Sequence, residues 1–493
     1  MPAFAHAATA GQATTGRHRP EADIGSDEIS GNHIDSTMAL TNPKFAPQRA
    51  SKEAAQFDLK RKRRSFKSLK ALLEKLRSDP FGGVSILLRV QNQLTRHILR
   101  TEKGLKILKD ERLRVLRLRK IRPSRERSET LKKRVTRLEQ GIEQGKHLLW
   151  IWRCFGDAIP FIYHDKHALK HMLYSVEDYS VKQSAGALFG NRGRRLETKI
   201  MQTLCKKGIP AMLCDLTNTL RHGDVCVMVG ADPFPIEVKS STNRNARTVR
   251  QAGNLSSLHA FFSEDGARNF RGVERVERRE TPMAETHAAD LNRCLDDSRQ
   301  TLWATARPED GVTYLALRRG ADFGRIGIGE AEKIGEYPTV LEWNQAIESE
   351  RWMPYYPFTL TVDRASDLVA LLEGRLVVIV TLDAHAVMRR FADLRLIAEF
   401  VSDEQIEFTV RRPGASIDRG DAACGISTHL VRRVQFECEP IANLVNSAVN
   451  FIEELETCEP LEPGEFSEQD VQMLAAWRRL KPVIPSLLTD DGD

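Results

Sequence analysis

The chain has 493 residues, 41% of them hydrophobic, which is enough for two or three domains with cores of their own. No run of eighteen apolar residues occurs and no long apolar segment follows Met1, so neither a membrane span nor a secretory signal is expected. The eight cysteines include no Cys-x-x-Cys pair, and a reducing cytoplasm is therefore the expected location.

The net charge of +7 is unevenly distributed. Residues 1–50 lack apolar periodicity and are predicted to form a disordered tail. Residues 51–175 are predicted to be a basic helical region, and five consecutive cations open it: Lys60, Arg61, Lys62, Arg63 and Arg64. Such a density attracts a phosphate backbone through counterion release, so we expect these residues to bind nucleic acid. A solvated helical face is the alternative.

Two long helices are predicted in this region, from about Val84 to Arg119 and from about Glu129 to Phe155. The segment Arg122-Pro123-Ser124 separates them, which indicates a helical hairpin. The second helix has a heptad-like repeat typical of a coiled coil, formed by Leu131, Val135, Leu138, Ile142 and Leu149. Internal packing with some oligomerisation, for example a homodimer, is favoured over a DNA-clamping arm.

Three histidines, His164, His167 and His171, fall on one helical face just after the hairpin. Such a set can hold a transition metal in principle. No cysteine or carboxylate cluster accompanies it in the sequence, so a zinc site is not expected.

A candidate site lies in residues 176–320. The run Val225 to Val229 is short and bounded by Gly223 and Gly230, as expected of a buried strand, and a second strand contains Ile236 to Lys239. If Gly230 to Pro233 form the turn, Cys226 faces Glu237 and Asp224 faces Lys239.

In that register Asp224, Glu237 and Lys239 share one face, with the two carboxylates roughly 7 Å apart at the backbone. A slip of one residue would move Asp224 to the other face. Carboxylate oxygens favour Mg²⁺ or Mn²⁺, and the ammonium of Lys239 suits a water or a phosphate. The set is therefore typical of metal-assisted phosphodiester hydrolysis, although an amphipathic surface hairpin has the same spacing.

The flanking segments extend this candidate site. A helix is predicted from Arg194 to Lys207, with Glu197 bordering its apolar stripe, and Ala211 to Leu216 follow as a strand. After the hairpin, Thr248 is expected to cap a helix with Gln251 at the head of its apolar stripe. Three arginines just after Lys239 are placed to hold the phosphate that is cut: Arg244, Arg247 and Arg250.

The stretch from about Asn191 to Phe262 resembles the core of the PD-(D/E)XK, or restriction-endonuclease-like, nuclease superfamily. The motif is Asp224, twelve intervening residues, and then Glu237-Val238-Lys239. Gln251 is similar to the glutamine of the RecB-like branch, although Leu255 stands in place of its tyrosine and Gly223 in place of the motif's proline.

The resemblance implies that Asp224, Glu237 and the carbonyl of Val238 bind the metal and that Lys239 assists the attacking water. Glu197 matches an acidic residue of the family's first helix, which adds it, with Gln251, to the catalytic residues. The implied fold is α/β, with a mixed sheet flanked by helices and preceded by the helical hairpin.

Residues 321–493 are expected to form an α/β extension or a separate module. Buried strands are predicted at Val312 to Leu317, Leu376 to Leu382, Ile406 to Arg411 and Leu430 to Phe436, and an amphipathic helix begins at Ile441.

The expected function is a Mg²⁺-dependent nuclease that acts on DNA, in defence and restriction or in repair. A nucleic-acid-binding or scaffold protein that keeps the fold without cleavage, and an RNase, are the alternatives. The chain lacks a Gly-x-x-x-x-Gly-Lys-Ser/Thr motif, so any ATP-dependent step would need a partner such as a helicase. A methyltransferase partner is equally open.

Overall fold

The fold is that of a computed structural model, which describes residues 57–121, 123–178, 180–182, 186–191, 193–239, 246–278, 285–321, 335, 337–401, 406–415, 422–457 and 479–488. The predicted tail, residues 1–50, and Arg244 lie outside these residues. The chain is of the α/β class, as predicted.

Three helices form the N-terminal part: α1 (Arg63–Ser78), α2 (Val84–Arg119) and α3 (Arg125–Tyr163). The predicted hairpin of α2 and α3 is present, and the bounds of α2 are as predicted. Helix α3 begins earlier than predicted because Ser124 caps it by accepting the N–H of Arg127 (3.4 Å). It also runs two turns further, since its last residues, including Ile159 and Phe161, pack into the core.

A short helix, α4 (Lys166–His171), leads to the segment with the candidate site. There α5 (Arg194–Lys206) is followed by β1 (Ala211–Leu213), β2 (Val225–Val227), β3 (Phe234–Ile236) and α6 (Ala246–Ser263). The predicted order of helix, three strands and helix is confirmed, but each strand is shorter than predicted, and Glu237 to Lys239 follow the end of β3 instead of lying in it. The three strands form one antiparallel sheet in the order β1-β2-β3. Thr248 lies inside α6 instead of capping it.

Helix α2 supports the edge of this sheet with a side chain. Nε2 of Gln91 donates to the carbonyl of Ala211 (2.9 Å), and its Oε1 accepts the N–H of Leu213 (3.1 Å). Gln91 is fully buried, so the pair satisfies both the amide and the exposed edge of β1.

The hairpin of β4 (Gly266–Phe270) and β5 (Val273–Glu277) precedes α7 (Ala288–Thr301) and a four-stranded sheet in the order β6-β7-β9-β8. Its strands are β6 (Trp303–Glu309), β7 (Val312–Arg318), β8 (Pro338–Glu342) and β9 (Leu376–Asp383). The predicted boundary at residues 320 and 321 therefore separates strands of a single sheet, because β7 pairs with β9 along its whole length.

The last part of the chain contains a sheet of β10 (Ile397–Phe400), β11 (Ile406–Arg411) and β12 (Ala423–Ser427). Helices α8 (Trp343–Glu348), α9 (Phe358–Thr361), α10 (Ala365–Leu372), α11 (Ala384–Asp393), α12 (Thr428–Phe436) and α13 (Ile441–Thr457) complete it. Every pairing between described strands is antiparallel, whereas the resemblance implies a mixed sheet.

The predicted strand from Leu430 to Phe436 is wrong, because these residues form most of α12. Ser427 starts the helix by accepting the N–H of Leu430 (3.4 Å), and the following apolar side chains are buried along a helical face. The strands predicted near Val312, Leu376 and Ile406 and the helix at Ile441 are confirmed. No helix in the described ranges is long and apolar enough to span a membrane.

Helix α3 approaches the backbone after β1 very closely at Gly156. A Cβ at this position would lie 1.9 Å from the carbonyl oxygen of Leu216, whereas a Cβ at Gly253 of α6 would meet nothing within 4 Å. We expect Gly156→Ala to lower the free energy of unfolding by about 1–3 kcal/mol, since the helix must shift. Gly253→Ala should raise it by up to ~1 kcal/mol.

Chemical unfolding followed by circular dichroism measures both variants. An equal effect of the two substitutions would contradict the close approach of α3.

Candidate functional site

The strand register differs from the predicted one by two residues. Val225 pairs with Ile236 and Val227 with Phe234, so the loop runs from residue 228 to 233 instead of over four residues. Arg278 holds this longer loop by donating to both carboxylate oxygens of Asp232 (2.8 and 2.7 Å). A shift of two residues preserves the side on which each residue projects, so Asp224 and Glu237 stay on one side and lie opposite each other when the pairing is continued.

Asp224 is fixed by the chain that it faces. Its N–H donates to the carbonyl of Ile236 (2.9 Å), and its Oδ2 accepts the N–H of Val238 (2.7 Å). Burial raises the pKa of this carboxyl, and the bond from Val238 partly opposes that effect. The Asp224 side chain is thus held beside the Glu-x-Lys segment, as predicted.

The structure explains the glycine that stands in place of the motif's proline. Gly223 has a φ of +73°, and a Cβ there would lie 3.0 Å from both the nitrogen and the oxygen of Ile236. Proline fixes φ near −65°, so it cannot occupy this position. The departure at Gly223 therefore reflects the local backbone.

Glu197 lies in the first turn of α5 with only 6% of its surface exposed. Nδ2 of Asn191 donates to its Oε1 (3.4 Å). Burial raises the pKa of the carboxyl to about 7, and the negative charges of Asp224, Asp215 and Glu237 add to the increase. Helix α5 therefore places Glu197 within electrostatic reach of the two predicted metal ligands.

Asp215 is a fourth carboxylate of this group, and the sequence analysis missed it. It lies in the short 3-10 turn Cys214–Leu216 and accepts the N–H of Gly186 at Oδ1 (3.1 Å). Burial raises its pKa, Arg153 lowers it, and Asp224 raises it further. The sequence did contain a sign of its role, because Asp215 is a carboxylate within a segment predicted to be an apolar strand, where an acid is rare without a partner.

Two lysines are relevant to the site. Lys239 lies three residues beyond the end of β3 and is exposed. Lys182 is half-buried, and its Nζ lies 3.2 Å from Nδ1 of His222. Burial lowers the pKa of Lys182, whereas the negative charge of Glu237 raises it, which places this ammonium near the site. Lys182 lies in an irregular segment, so no periodic pattern could have pointed to it.

The carboxylates match Mg²⁺ or Mn²⁺ in donor chemistry, because these ions prefer oxygen ligands. Within the described ranges, no group of three or more His, Cys, Asp and Glu side chains is arranged to hold a metal. Mg²⁺ commonly takes one or two protein carboxylates and completes its shell with water and substrate phosphate. Asp224 and Glu237 would supply that number.

The other predicted site residues are more dispersed. Gln251 is half-buried in α6, whose His259 stacks on Phe234 of β3 with ring centres 4.3 Å apart. Gln251 lies two turns before His259, about 12 Å along the helix axis. Arg247 lies in the first turns of α6, and Arg250 is exposed on the same helix.

The first basic cluster surrounds the start of α1. Lys60, Arg61 and Arg64 are exposed and Lys62 is half-buried. Arg63 is also exposed, but its guanidinium is paired with the buried carboxylate of Glu373. Four of these five residues are thus placed to meet an anionic partner.

The three histidines do not converge on one point. Nδ1 of His164 lies 3.3 Å from the carbonyl of Ala231, His167 lies beside Arg433, and Nδ1 of His171 lies 2.8 Å from Nη1 of Arg271. Each histidine contacts a different part of the protein.

No family model, curated protein or solved structure matches this chain. The functional argument therefore depends on the geometry and chemistry described above.

The raised pKa of Glu197 makes stability depend on pH. Its pKa is about 7 in the folded protein against an ordinary value of 4.5, so the folded state binds more protons between these values and the contribution of this group to stability falls as pH rises through 7. Glu197→Gln removes this loss of stability at high pH, because glutamine does not ionise. We expect the free energy of unfolding of the variant, relative to that of wild type, to increase by about 1–3 kcal/mol between pH 5 and pH 8.

Urea unfolding at the two pH values measures this gain. Glu264→Gln, at an exposed position after α6, is the matched control and should follow wild type. A pH-independent difference between Glu197→Gln and wild type would contradict the burial of Glu197 among other carboxylates.

Proposed function

We propose that the protein is a metal-dependent nuclease that hydrolyses phosphodiester bonds in DNA, with a restriction-endonuclease-like core formed by α5, β1 to β3 and α6. The observation that supports this proposal is the grouping of four carboxylates, in which three charges raise the pKa of Glu197 and the charge of Asp224 raises that of Asp215; the group consists of Glu197, Asp215, Asp224 and Glu237. A cytoplasmic location and a homodimer remain parts of the proposal.

Such a grouping is unfavourable in the protein alone. Like charges in a partly desolvated site repel, and protonation of Glu197 relieves the repulsion only below about pH 7. A bound divalent cation relieves it at all physiological pH values. The arrangement is therefore better suited to binding a cation than to stabilising the fold.

Asp224 and Glu237 are the residues that would hold the ion, with the Val238 carbonyl as a further ligand. A bound Mg²⁺ or Mn²⁺ lowers the pKa of a water and neutralises charge on a phosphate. The hydrogen bond from Val238 N–H orients Asp224, and the Asn191 amide orients Glu197. Lys182 and Lys239 supply ammonium groups that stabilise an anionic phosphate, and Gln251 lies on the neighbouring helix.

DNA is the proposed substrate because of the cationic surface. Exposed Lys60, Arg61 and Arg64 on one side and Arg250 on the other offer contacts to a phosphate backbone that carry no sequence information. These residues suit RNA as well, so the assay below includes it. Restriction, defence and repair are the proposed settings.

The decisive measurement is cleavage of linear, circular and single-stranded DNA, and of RNA, by the full-length protein with Mg²⁺ or Mn²⁺. We expect Asp224→Asn and Glu237→Gln each to lower the rate at least ~100-fold, since each removes a charged metal ligand. Glu264→Gln should cleave like wild type. Calorimetric titration with Mn²⁺ gives a second readout, and Asp224→Asn should weaken that binding.

Absence of cleavage by wild type with every ion, together with intact nucleic-acid binding, would identify a binding or scaffold protein instead. Cleavage of RNA alone would identify an RNase. Equal cleavage by wild type and Asp224→Asn would refute the assigned site.

The two lysines can be distinguished in the same assay. We expect Lys182→Met to lower the cleavage rate by about 10-fold or more, because its ammonium lies near Glu237 in a partly desolvated position. If Lys239 assists the attacking water, as the resemblance implies, Lys239→Met should lower the cleavage rate at least as much as Lys182→Met. A loss confined to Lys182→Met would transfer that role to Lys182. Unchanged rates in both variants would exclude a lysine from the reaction.

A further inference from the structure

Helices α4 and α12 face each other with basic side chains. His167 and Lys170 lie one turn apart on α4, and His429 and Arg433 lie one turn apart on α12. Nη1 of Arg433 is 3.4 Å from Nδ1 and 3.3 Å from Nε2 of His167. The four groups also act on one another electrostatically, since Lys170, Arg433 and His167 all lower the pKa of His429 after burial. We call these four residues the basic cluster.

Two nitrogen atoms of the basic cluster are buried and have no hydrogen-bond partner among the described residues. His429 is 6% exposed, and its Nδ1 lies 3.1 Å from the hydroxyl of Tyr355, but its Nε2 has no hydrogen-bond partner in the described part of the chain. Arg433 is 3% exposed, and its Nε likewise has no partner there. Leaving a buried polar atom unpaired is unfavourable, so two such atoms on residues one helical turn apart need an explanation.

The nearby acids offset the charge of the basic cluster only in part. Burial raises the pKa of the Glu437 carboxyl, but the charge of Arg433 and then that of Lys166 lower it below its ordinary value. Glu437 and Glu439 are both bound by Lys166, with Nζ 2.8 Å from Oε2 of Glu437. Arg433 reaches Glu439 only at 3.9 Å. No ion pair between described residues joins Lys170 to a carboxylate, and burial with the charges of Arg433 and Arg271 lowers the Lys170 pKa to about 7. Positive charge therefore exceeds negative charge at this buried position.

Arg271 adds a further positive charge to this region. It donates to the carbonyls of Ser175 and His171 (both 2.8 Å), and its Nη1 lies 2.8 Å from Nδ1 of His171. The guanidinium groups of Arg271 and Arg433, and the ammonium of Lys170 below about pH 7, are like charges that repel one another unless an anion lies between them.

We propose that the basic cluster is a binding site for a phosphate-type oxyanion, either inorganic phosphate or the phosphate of a small monoester. Guanidinium, ammonium and imidazole groups that converge from two helices suit a compact dianion with several acceptor oxygens. The unpartnered Nε2 of His429 and Nε of Arg433 would donate to it. The site shares no residue with the carboxylate group, so the proposal stands or falls independently of nuclease activity.

Calorimetry and thermal unfolding of the full-length protein test this at pH 7 in chloride buffer of constant ionic strength. Inorganic phosphate, AMP and adenosine are the probes. We expect phosphate at ~20 mM to raise the Tm by about 2 °C or more. Lys170→Met and His429→Gln should each weaken phosphate binding at least ~10-fold. Lys199→Met, at an exposed position of α5, should leave it unchanged.

A second effect separates binding from a structural role. Removing one of several like charges relieves repulsion, so Lys170→Met should keep or raise its Tm without phosphate while losing the phosphate-dependent increase. Binding of AMP as well as phosphate assigns the monoester, and binding of phosphate alone assigns the free anion. No binding by wild type, binding of adenosine as strong as that of AMP, or an equal increase in Tm in all variants would overturn the proposal. Phosphate binding by the wild-type protein tests the proposal even if one variant fails to fold.

Discussion

The candidate site depends on one turn of helix α3 that fixes the segment between β1 and β2. The buried carboxylate of Asp157 accepts the N–H groups of Asn218 (2.7 Å) and Thr219 (2.8 Å) and the Nδ2 of Asn218 (2.9 Å). Gly156 leaves room for the Leu216 carbonyl oxygen, which would lie 1.9 Å from a Cβ at this position, and Nε of Arg153 donates to the Asp215 carbonyl (3.3 Å). Each buried donor left without Asp157 would cost about 1–3 kcal/mol, so Asp215 and the approach to Asp224 are held firmly.

Helix α2 fixes the segment before α5, on the other side of the candidate site, and it also does so with a buried carboxylate that accepts backbone N–H groups. Glu102 accepts the N–H groups of Leu188 (3.3 Å) and Phe189 (2.7 Å), a few residues before the helix that contains Glu197. Arg153 lies 3.6 Å from Glu102, so the two helices are linked at the point where both contact the site. The helical hairpin therefore packs against the candidate core with buried polar groups, while its exposed lysines and arginines remain available to solvent. One face of the hairpin therefore packs against the candidate core, and another face carries the exposed positive charge.

Periodicity was sufficient to predict α2, α5 and the order of the three strands, because local apolar patterns determine these elements. It was insufficient where distant residues decide the structure. The hairpin register depends on the Arg278 pairing with Asp232, which no local pattern shows. The segment from Leu430 is a helix because Ser427 caps it and surrounding elements bury it, although its composition suits a strand. Lys182 and Asp215 were missed because irregular segments bring them to the site.

Both candidate sites were difficult to predict because their residues are far apart in the sequence. The carboxylates come from α5, a 3-10 turn and the residues just before β2 and just after β3, and the basic cluster comes from two helices far apart in the chain, so neither forms a contiguous motif. Basic residues link the two sites. The charge of Glu237 raises the pKa of Lys182, and Nζ of Lys182 lies 3.2 Å from Nδ1 of His222. Arg271 lowers the pKa of His222 and contacts His171, which follows Lys170 in the chain. Because these groups influence one another in a partly desolvated interior, a change of charge at either end alters the electrostatic cost at the next group. Ligand binding and stability are therefore expected to be coupled throughout this half of the protein, whichever ligand binds first.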